Sequence, residues 1–415
     1  MKQKSLYIIL CFLLFMPRAF SQETALSSEQ VLEAINSGAK YASTVILDND
    51  FKSRCDYNMT EGKWYDYEIP WHTGQIIYAL IESSRVTGEQ SFLEVAKKSG
   101  DWWISLEIKD HPKLKGMLAA KHGDHAGEAI VFATVSDGTA GLYKLSETTK
   151  IKKYAEVATQ AGDWMFRNMY LEKEGLCYDN IDPESGEVLK NSSPFWPDRK
   201  DIGLFEVSRP NNEGSLFLDM YKFTGDKVYK KAFINLCESL VKFQGEEGLW
   251  MDFMPNFKEE GSYHPRFNLW YAESLIDGYE LTKDKRYLDA AIKCARVYAN
   301  AQENSGTIYY KNFINGEEPN KNSICGSAAS FSAILWIRLV EHQVGQEFLP
   351  NIEKSAGWVY RNRFSDNHPD PNLRGAFLNS RVRNKKGKKW MVNRDVGTSF
   401  GLRFLAKYYD FHYGK

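Results

Sequence analysis

Apolar positions along this chain fall into paired helical runs joined by one recurring turn. Each unit is a first apolar stretch, a Thr-Gly or Thr-Lys-Asp turn, an aromatic residue, and a second apolar stretch. Arg85-Val-Thr-Gly-Glu89 leads to Phe92 and Ala96, and Leu145-Ser-Glu-Thr-Thr-Lys150 to Tyr154 and Ala155. Phe223-Thr-Gly-Asp-Lys227 leads to Tyr229 and Ala232, and Leu281-Thr-Lys-Asp-Lys285 to Tyr287 and Ala290. One hairpin recurring along a chain marks a repeat architecture. Ser327–Arg361 reads as a degenerate further copy and Asp395–Tyr413 as a half-copy. The helix at Ser28–Leu47 would complete that half and close a ring. The pattern therefore predicts an all-α fold, an (α/α)6 toroid of helical hairpins.

The first helix of each pair is expected to begin near His72, Glu128, Asn212, Asn268, Ser327 and Asp395. These first members are apolar on most faces, as in Gly326-Ser-Ala-Ala-Ser-Phe-Ser-Ala-Ile-Leu335, and belong inside the ring. The second members, such as Tyr287–Ala301 and Lys152–Arg167, are amphipathic and belong outside. Links within a hairpin are short. Links from an outer helix to the next inner helix are long: Ser105–Gly127, Asn168–Asn211, Gln244–Phe267, Gln302–Ile324 and Phe364–Arg394. Long loops in a compact domain usually carry function. All of them reach the end where inner helices start, so N-termini with free N–H donors point into one basin, which suits an anionic ligand.

The N-terminal residues change the expected address of the protein. Met1-Lys-Gln-Lys4 and the apolar run Ser5–Met16, followed by small residues at Ala19-Phe-Ser21, read as a secretory signal. The expected organisation is a signal peptide over 1–21 and one toroid domain over 22–415, exported to the periplasm or beyond. No other stretch is apolar and long enough to span a membrane. A formal net charge of -1 argues against a nucleic-acid partner. With Cys11 in the leader, Cys55, Cys177, Cys237, Cys294 and Cys325 remain; they are odd in number and far apart, which argues against a disulfide framework.

The densest chemistry lies in Gly261-Ser-Tyr-His-Pro-Arg-Phe-Asn-Leu-Trp-Tyr271. Elimination at a uronate needs a group to neutralise the carboxylate, a base for the C5 proton and an acid for the leaving oxygen. Arg266 and Asn268 suit the first role; His264 and Tyr263 suit the others. Lys121-His-Gly-Asp-His-Ala-Gly-Glu128 adds His122 and His125 as acid/base candidates. Two histidines three apart lack a clear third ligand nearby in sequence, so no metal is expected, and no cofactor. His72 and Trp71 precede the first inner helix, Trp71 as a possible sugar platform. Arg209 and Asn212 stand at a fourth helix start and Arg394 at the last, with Arg the natural bidentate partner of carboxylate or sulfate. Asp137, Asp219 and Asp277 lie deeper in inner helices, and no hydrolytic carboxylate pair stands out among them.

The repeat, together with Trp71-His-Thr-Gly-Gln75, Arg209-Pro-Asn-Asn-Glu-Gly214 and Phe267-Asn-Leu-Trp-Tyr-Ala-Glu273, resembles the α/α-toroid carbohydrate-active enzymes. That class includes polysaccharide lyases and unsaturated glucuronyl hydrolases, and the chain looks like the ulvan-degrading set exported by marine Bacteroidetes. The resemblance covers nearly all of the mature chain in architecture and implies β-elimination at a glucuronate or iduronate of a sulfated algal glycan, by a lyase or by a dehydratase of terminal uronates. Arg209-Pro-Asn-Asn is only a loose echo of the hydrolase motifs. Hydrolysis of an unsaturated uronyl sugar, with Asp137 as first carboxylate, is the enzyme alternative, and glycan binding without catalysis the other. The expected partner is an anionic, uronate-containing, sulfated oligosaccharide or polysaccharide.

Overall fold

A computed structural model describes residues 25–123, 129–194, 198–385 and 387–414. The helices in chain order are α1 (Ser28–Tyr41), α2 (Ile69–Thr87), α3 (Gln90–Ser105), α4 (Phe132–Thr149), α5 (Lys153–Asn168), a single-turn α6 (Leu204–Val207) and α7 (Leu216–Thr224). They continue as α8 (Lys227–Phe243), α9 (Phe267–Thr282), α10 (Lys285–Ala301), α11 (Gly326–Glu341), α12 (Leu349–Arg361) and α13 (Val396–Tyr413). Helices α2, α4, α7, α9, α11 and α13 form the inner ring, and α1, α3, α5, α8, α10 and α12 the outer ring. This is the (α/α)6 toroid that the repeat predicts.

The recurring turn works the same way each time. Thr87, Thr149, Thr224 and Thr282 donate their hydroxyls back to the carbonyls of Ser83, Leu145, Met220 and Gly278, each at 2.7 Å. The next residue (Gly88, Lys150, Gly225 or Lys283) takes a left-handed conformation and donates its N–H to the carbonyl four residues back. The last orphan carbonyls of each inner helix are thus satisfied within the turn, and the chain reverses at once. Asp226 and Asp284 then cap the following outer helices by accepting from Val228 N and Arg286 N. Inner helices α2 and α4 cross at two glycines: a Cβ on Gly74 would lie 2.4 Å from the carbonyl oxygen of Gly138, so a side chain there would force the pair apart.

Ring closure uses the first helix. Helix α1 packs on α13, with Leu26 N donating to the Tyr408 hydroxyl at 3.3 Å and the Tyr413 hydroxyl donating to the Leu26 carbonyl. Two inner helices start later than the sequence suggests. Ala129–Val131 is a strand paired with Lys121–His122 and Asn180–Ile181, so α4 begins at Phe132 and not near Glu128. Helix α7 is short because Gly214 and Ser215 both adopt positive φ just before it.

The long loops gather at the N-terminal end of the inner helices and form small sheets there. The largest has four strands in the order Ser380–Lys385, Lys388–Asn393, Asp56–Asn58, Lys63–Tyr65, all antiparallel. It ties the segment before α2 to the segment before α13, and puts Arg381 and Arg383, two residues apart, on the same face. Cys55, Cys177, Cys237, Cys294 and Cys325 are all free and buried. No described helix is long and apolar enough to cross a membrane.

Candidate functional site

Two buried charge clusters meet at the basin, and they differ in how they are compensated. The first centres on Arg394, just before α13. Its Nε donates to both oxygens of Asp56 at 3.0–3.1 Å, and its Nη2 donates to His72 Nε2 at 3.1 Å and lies 3.5 Å from Glu68. His72 therefore carries its proton on Nδ1, which faces Asp395; Asp395 in turn accepts from the Ser53 hydroxyl at 2.5 Å. Glu68 takes a left-handed backbone at the start of α2 and reaches His122 Nε2 at 3.0 Å. Burial opposes its ionisation, but His122, Arg394 and His72 prevail and hold its carboxyl well below the usual range. His122 Nδ1 sits 3.1 Å from the Thr134 hydroxyl, so both of its ring nitrogens are engaged.

The second cluster centres on Arg266, immediately before α9. Arg266 is 3% exposed, and its guanidinium lies 5.6 and 5.9 Å from the rings of Trp71 and Trp270. Nη1 donates to Ser327 Oγ at 3.0 Å and approaches Cys325 Sγ at 3.5 Å, while Nε is buried with no partner. No carboxylate among the described residues pairs with it. Beneath it, Trp71 and Trp270 donate their indole N–H groups to Asp137 at 2.5 and 3.1 Å, and Gln75 adds a third donor at 2.9 Å. Burial nevertheless raises the Asp137 carboxyl above its ordinary value.

A hydrogen-bond chain links Arg266 to Tyr310. Ser327 donates its hydroxyl to Asn379 Oδ1 at 3.1 Å, and Asn379 Nδ2 donates to the Tyr310 hydroxyl at 2.7 Å. The Tyr310 oxygen thus accepts one bond and keeps its own proton for a further partner. Arg381 lies 5.4 Å from the Tyr310 ring centre. Burial raises this phenol, with Cys325 adding, while Arg394, Arg266 and Arg381 pull the other way. Arg381 is itself lowered by burial and by the charges of Arg394 and Arg383. The basin therefore holds a surplus of positive charge around one phenol.

Several residues singled out from the sequence hold different positions from those expected. Tyr263 is buried, its ring 5.6 Å from that of Tyr298 on outer helix α10, so it is a packing residue and leaves the acid/base set. His264 borders the basin, but its Nδ1 accepts the backbone N–H groups of Arg266 and Phe267 at 3.1 and 3.2 Å. Burial and the charges of Arg266, Arg381 and Arg394 hold its pKa well below the ordinary value. The neutral ring then carries its proton on Nε2, making it a hydrogen-bond donor and not a base. Asn268 is spent on Trp250 N and on Asn256, each at 3.2 Å, and Asn212 on the Phe233 carbonyl and Cys237; both brace loops against helices. Arg209 is saturated by Asp179 at 2.8 Å, with Glu213 at 3.5 Å. His72 is fully buried and orients Arg394, and Trp71 is floor rather than platform. His125 lies outside the described residues, as does the expected signal peptide over 1–21.

Glu68, Tyr310 and Arg381 were missed from sequence. The Arg-x-Arg alternation at 381 and 383 is a signal that a strand would align both; Tyr310, in a long loop, gives none. Asp56, His72 and Asp395 bring ligand-type atoms within 4.8 Å of one another, the arrangement best suited here to a metal. Arg394 already supplies the cation for Asp56 and His72, so a metal would have to displace it.

No family model and no curated protein matches this chain. Solved structures do. The fold is similar to that of cellobiose 2-epimerase from Bacillus thermoamylovorans B4167, with TM-score 0.66 and 12% identity over 91% of this chain and 99% of that one. It is also similar to an unsaturated glucuronyl hydrolase from Bacillus sp. GL1, described as responsible for degradation of glycosaminoglycan (TM-score 0.65, 13% identity, 92% and 97% covered). An unsaturated glucuronyl hydrolase from Streptococcus agalactiae is similar over 99% of this chain and 98% of that one (TM-score 0.65, 14% identity). At these identities the likeness establishes the fold.

Proposed function

We propose that this protein is a carbon–oxygen lyase acting on uronate residues of anionic, sulfated glycans of the ulvan type, as a lyase or as a dehydratase of terminal uronates. The observation that carries it is Arg266: a guanidinium buried at the basin floor with no carboxylate of its own. An uncompensated buried cation is costly unless a ligand supplies the counter-charge. A uronate carboxylate placed on Arg266 would sit beside Tyr310, which the Ser327–Asn379 chain holds in fixed relation to it.

In the proposed reaction Arg266 neutralises the carboxylate and so acidifies the C5 proton. The Tyr310 oxygen, as phenolate, takes that proton; the C5–H electron pair forms the C4–C5 double bond as the C4–O bond breaks. Tyr310 then hands the proton to the departing oxygen and returns to phenolate. The neutral His264 donates from Nε2 to the carboxylate as charge builds on it, and Arg381 and Arg394 add positive field. Exported localisation and the sugar sequence remain part of this proposal.

Hydrolysis of an unsaturated uronyl sugar, the activity named for two of the structural neighbours, is the second reading. Glu213 favours it: burial, with Asp137 and Asp179 adding, lifts its carboxyl to about 8 against the pull of Arg209, and a proton-holding carboxyl is what a general acid requires. Against it, Glu213 is 1% exposed. Ultraviolet absorbance of the conjugated enoate separates the two readings. Saturated ulvan oligosaccharides should give a rise that Tyr310→Phe abolishes. A fall with unsaturated oligosaccharides would instead make the protein a hydrolase, and saturable binding with no change in either would make it a glycan-binding protein.

A further inference from the structure

The ring has a second opening. At the short-turn end, opposite the basin, a cavity of about 990 Å³ runs into the lumen, with walls from all six inner helices: Tyr78, Tyr143, Asp219, Glu273, Arg338 and Arg403 contribute one each. Asp137 and its indole donors Trp71 and Trp270 form the layer between this lumen and the basin.

Most charges of this lumen are already paired. Arg338 reaches Asp277 at 2.7 Å and Glu280 at 2.8 Å, Lys144 reaches Glu82 at 2.5 Å, and Arg85 bridges Glu82 and Asp410. Two half-buried groups of opposite sign are exceptions. Glu273 has neither an ion pair nor a hydrogen bond among the described residues. Arg403 has no carboxylate within ion-pair distance among the described residues; one of its nitrogens donates to Gln75 Oε1 at 2.7 Å and its guanidinium lies 4.2 Å from the Tyr78 ring centre. Both line the same cavity, Glu273 on α9 and Arg403 on α13, beyond ion-pair reach of each other.

A carboxylate and a guanidinium left open across one enclosed space are the complement of a ligand carrying both charges. We propose that the lumen is a second binding site, separate from the basin, for a small zwitterion whose ammonium pairs with Glu273 and whose carboxylate pairs with Arg403. Recognition would use charge-assisted hydrogen bonds at both ends, with the Tyr78 ring fixing the guanidinium plane. The groups that act on Glu273 are Arg403 and Arg338, which favour its ionisation, and Asp277 and Asp137, which oppose it; burial exceeds them all and lifts its carboxyl to about 7. An arriving ammonium shifts the balance toward the carboxylate, so binding near neutral pH releases a proton.

Titration calorimetry of the full chain against ω-amino acids from glycine to 6-aminohexanoate, in two buffers of different ionisation enthalpy, tests this. The expected result is saturable binding at one chain length, with proton release, weakened about tenfold or more by both Glu273→Gln and Arg403→Met. Arg266→Met should leave it unchanged, since that residue belongs to the basin. The proposal is overturned if no member of the series binds, if glycerol binds equally well, or if folded Glu273→Gln, checked by its thermal midpoint, binds as the wild type does.

Discussion

Arg394 and Arg266 stand just before two inner helices of the same basin, α13 and α9, are equally buried, and are the same residue, yet they are held in opposite ways. Arg394 sits among Asp56, Glu68 and His72, so its charge is spent inside the protein. Arg266 is given two indole faces, one hydroxyl and one thiol, none of which neutralises it. The contrast teaches that a basic residue at a helix start reports little until its counter-charge is known. The compensated arginine builds the site; the uncompensated one marks where a ligand belongs.

Four measurements bear on that contrast. Arg394→Met should have the largest effect, destabilising the fold by about 3–5 kcal/mol in denaturant titration, because the buried Asp56 loses both its charge-assisted hydrogen bonds and keeps only Arg383 at 3.9 Å. Arg266→Met should leave stability within about 1 kcal/mol of wild type, or raise it, while cutting kcat/KM by about 10²–10³-fold. If the two arginines lose stability equally, the contrast fails. For Tyr310, whose phenol burial raises above its ordinary value, kcat/KM should climb with pH and still be climbing near about pH 9, since only the phenolate takes a proton. A plateau at neutral pH would assign the base elsewhere. The smallest effect concerns Glu273 at the other end of the ring. Between the unfolded value of 4.5 and about 7, the folded protein keeps a proton that the unfolded chain has lost, so stability falls as pH rises through that window. Glu273→Gln should remove that share of the slope, at most about 1.4 kcal/mol per pH unit, from thermal midpoints measured at pH 5 and 7.

The ring was legible because its signals are local. Each Thr-Gly or Thr-Lys turn closes its own hydrogen bonds within five residues, so the hairpins can be read one at a time, and the apolar α11 and amphipathic α10 sort into layers by periodicity alone. The site was legible only as a location. Arg266 and His264 were found because they precede a helix start, but the role of His264 turned on its Nδ1 accepting two backbone N–H groups, a tautomer that composition does not reveal. Tyr263 ends the two-residue strand Ser262–Tyr263, and its ring packs against Tyr298 of an outer helix, a contact 35 residues away that no local pattern shows. Asn212 and Asn268 look like ligands at helix starts, yet Phe233 and Cys237 of α8 claim the first and the loop Trp250–Asn256 claims the second. Tyr310 and Arg381 become neighbours only when two long loops fold together, and no window along the chain contains both.

The docking of α1 against α13 has a consequence for how the molecule comes into being. Leu26 meets Tyr408 and Tyr413, and Glu33 meets Arg363 at 2.9 Å, contacts that span almost the whole polypeptide. Successive hairpins can form as they appear, but the first helix waits without its partner until the final one has been made. Completion of the circle thus awaits α13, and a chain cut short before that helix would leave part of the apolar stripe of α1 uncovered, with only α2 and α12 beside it.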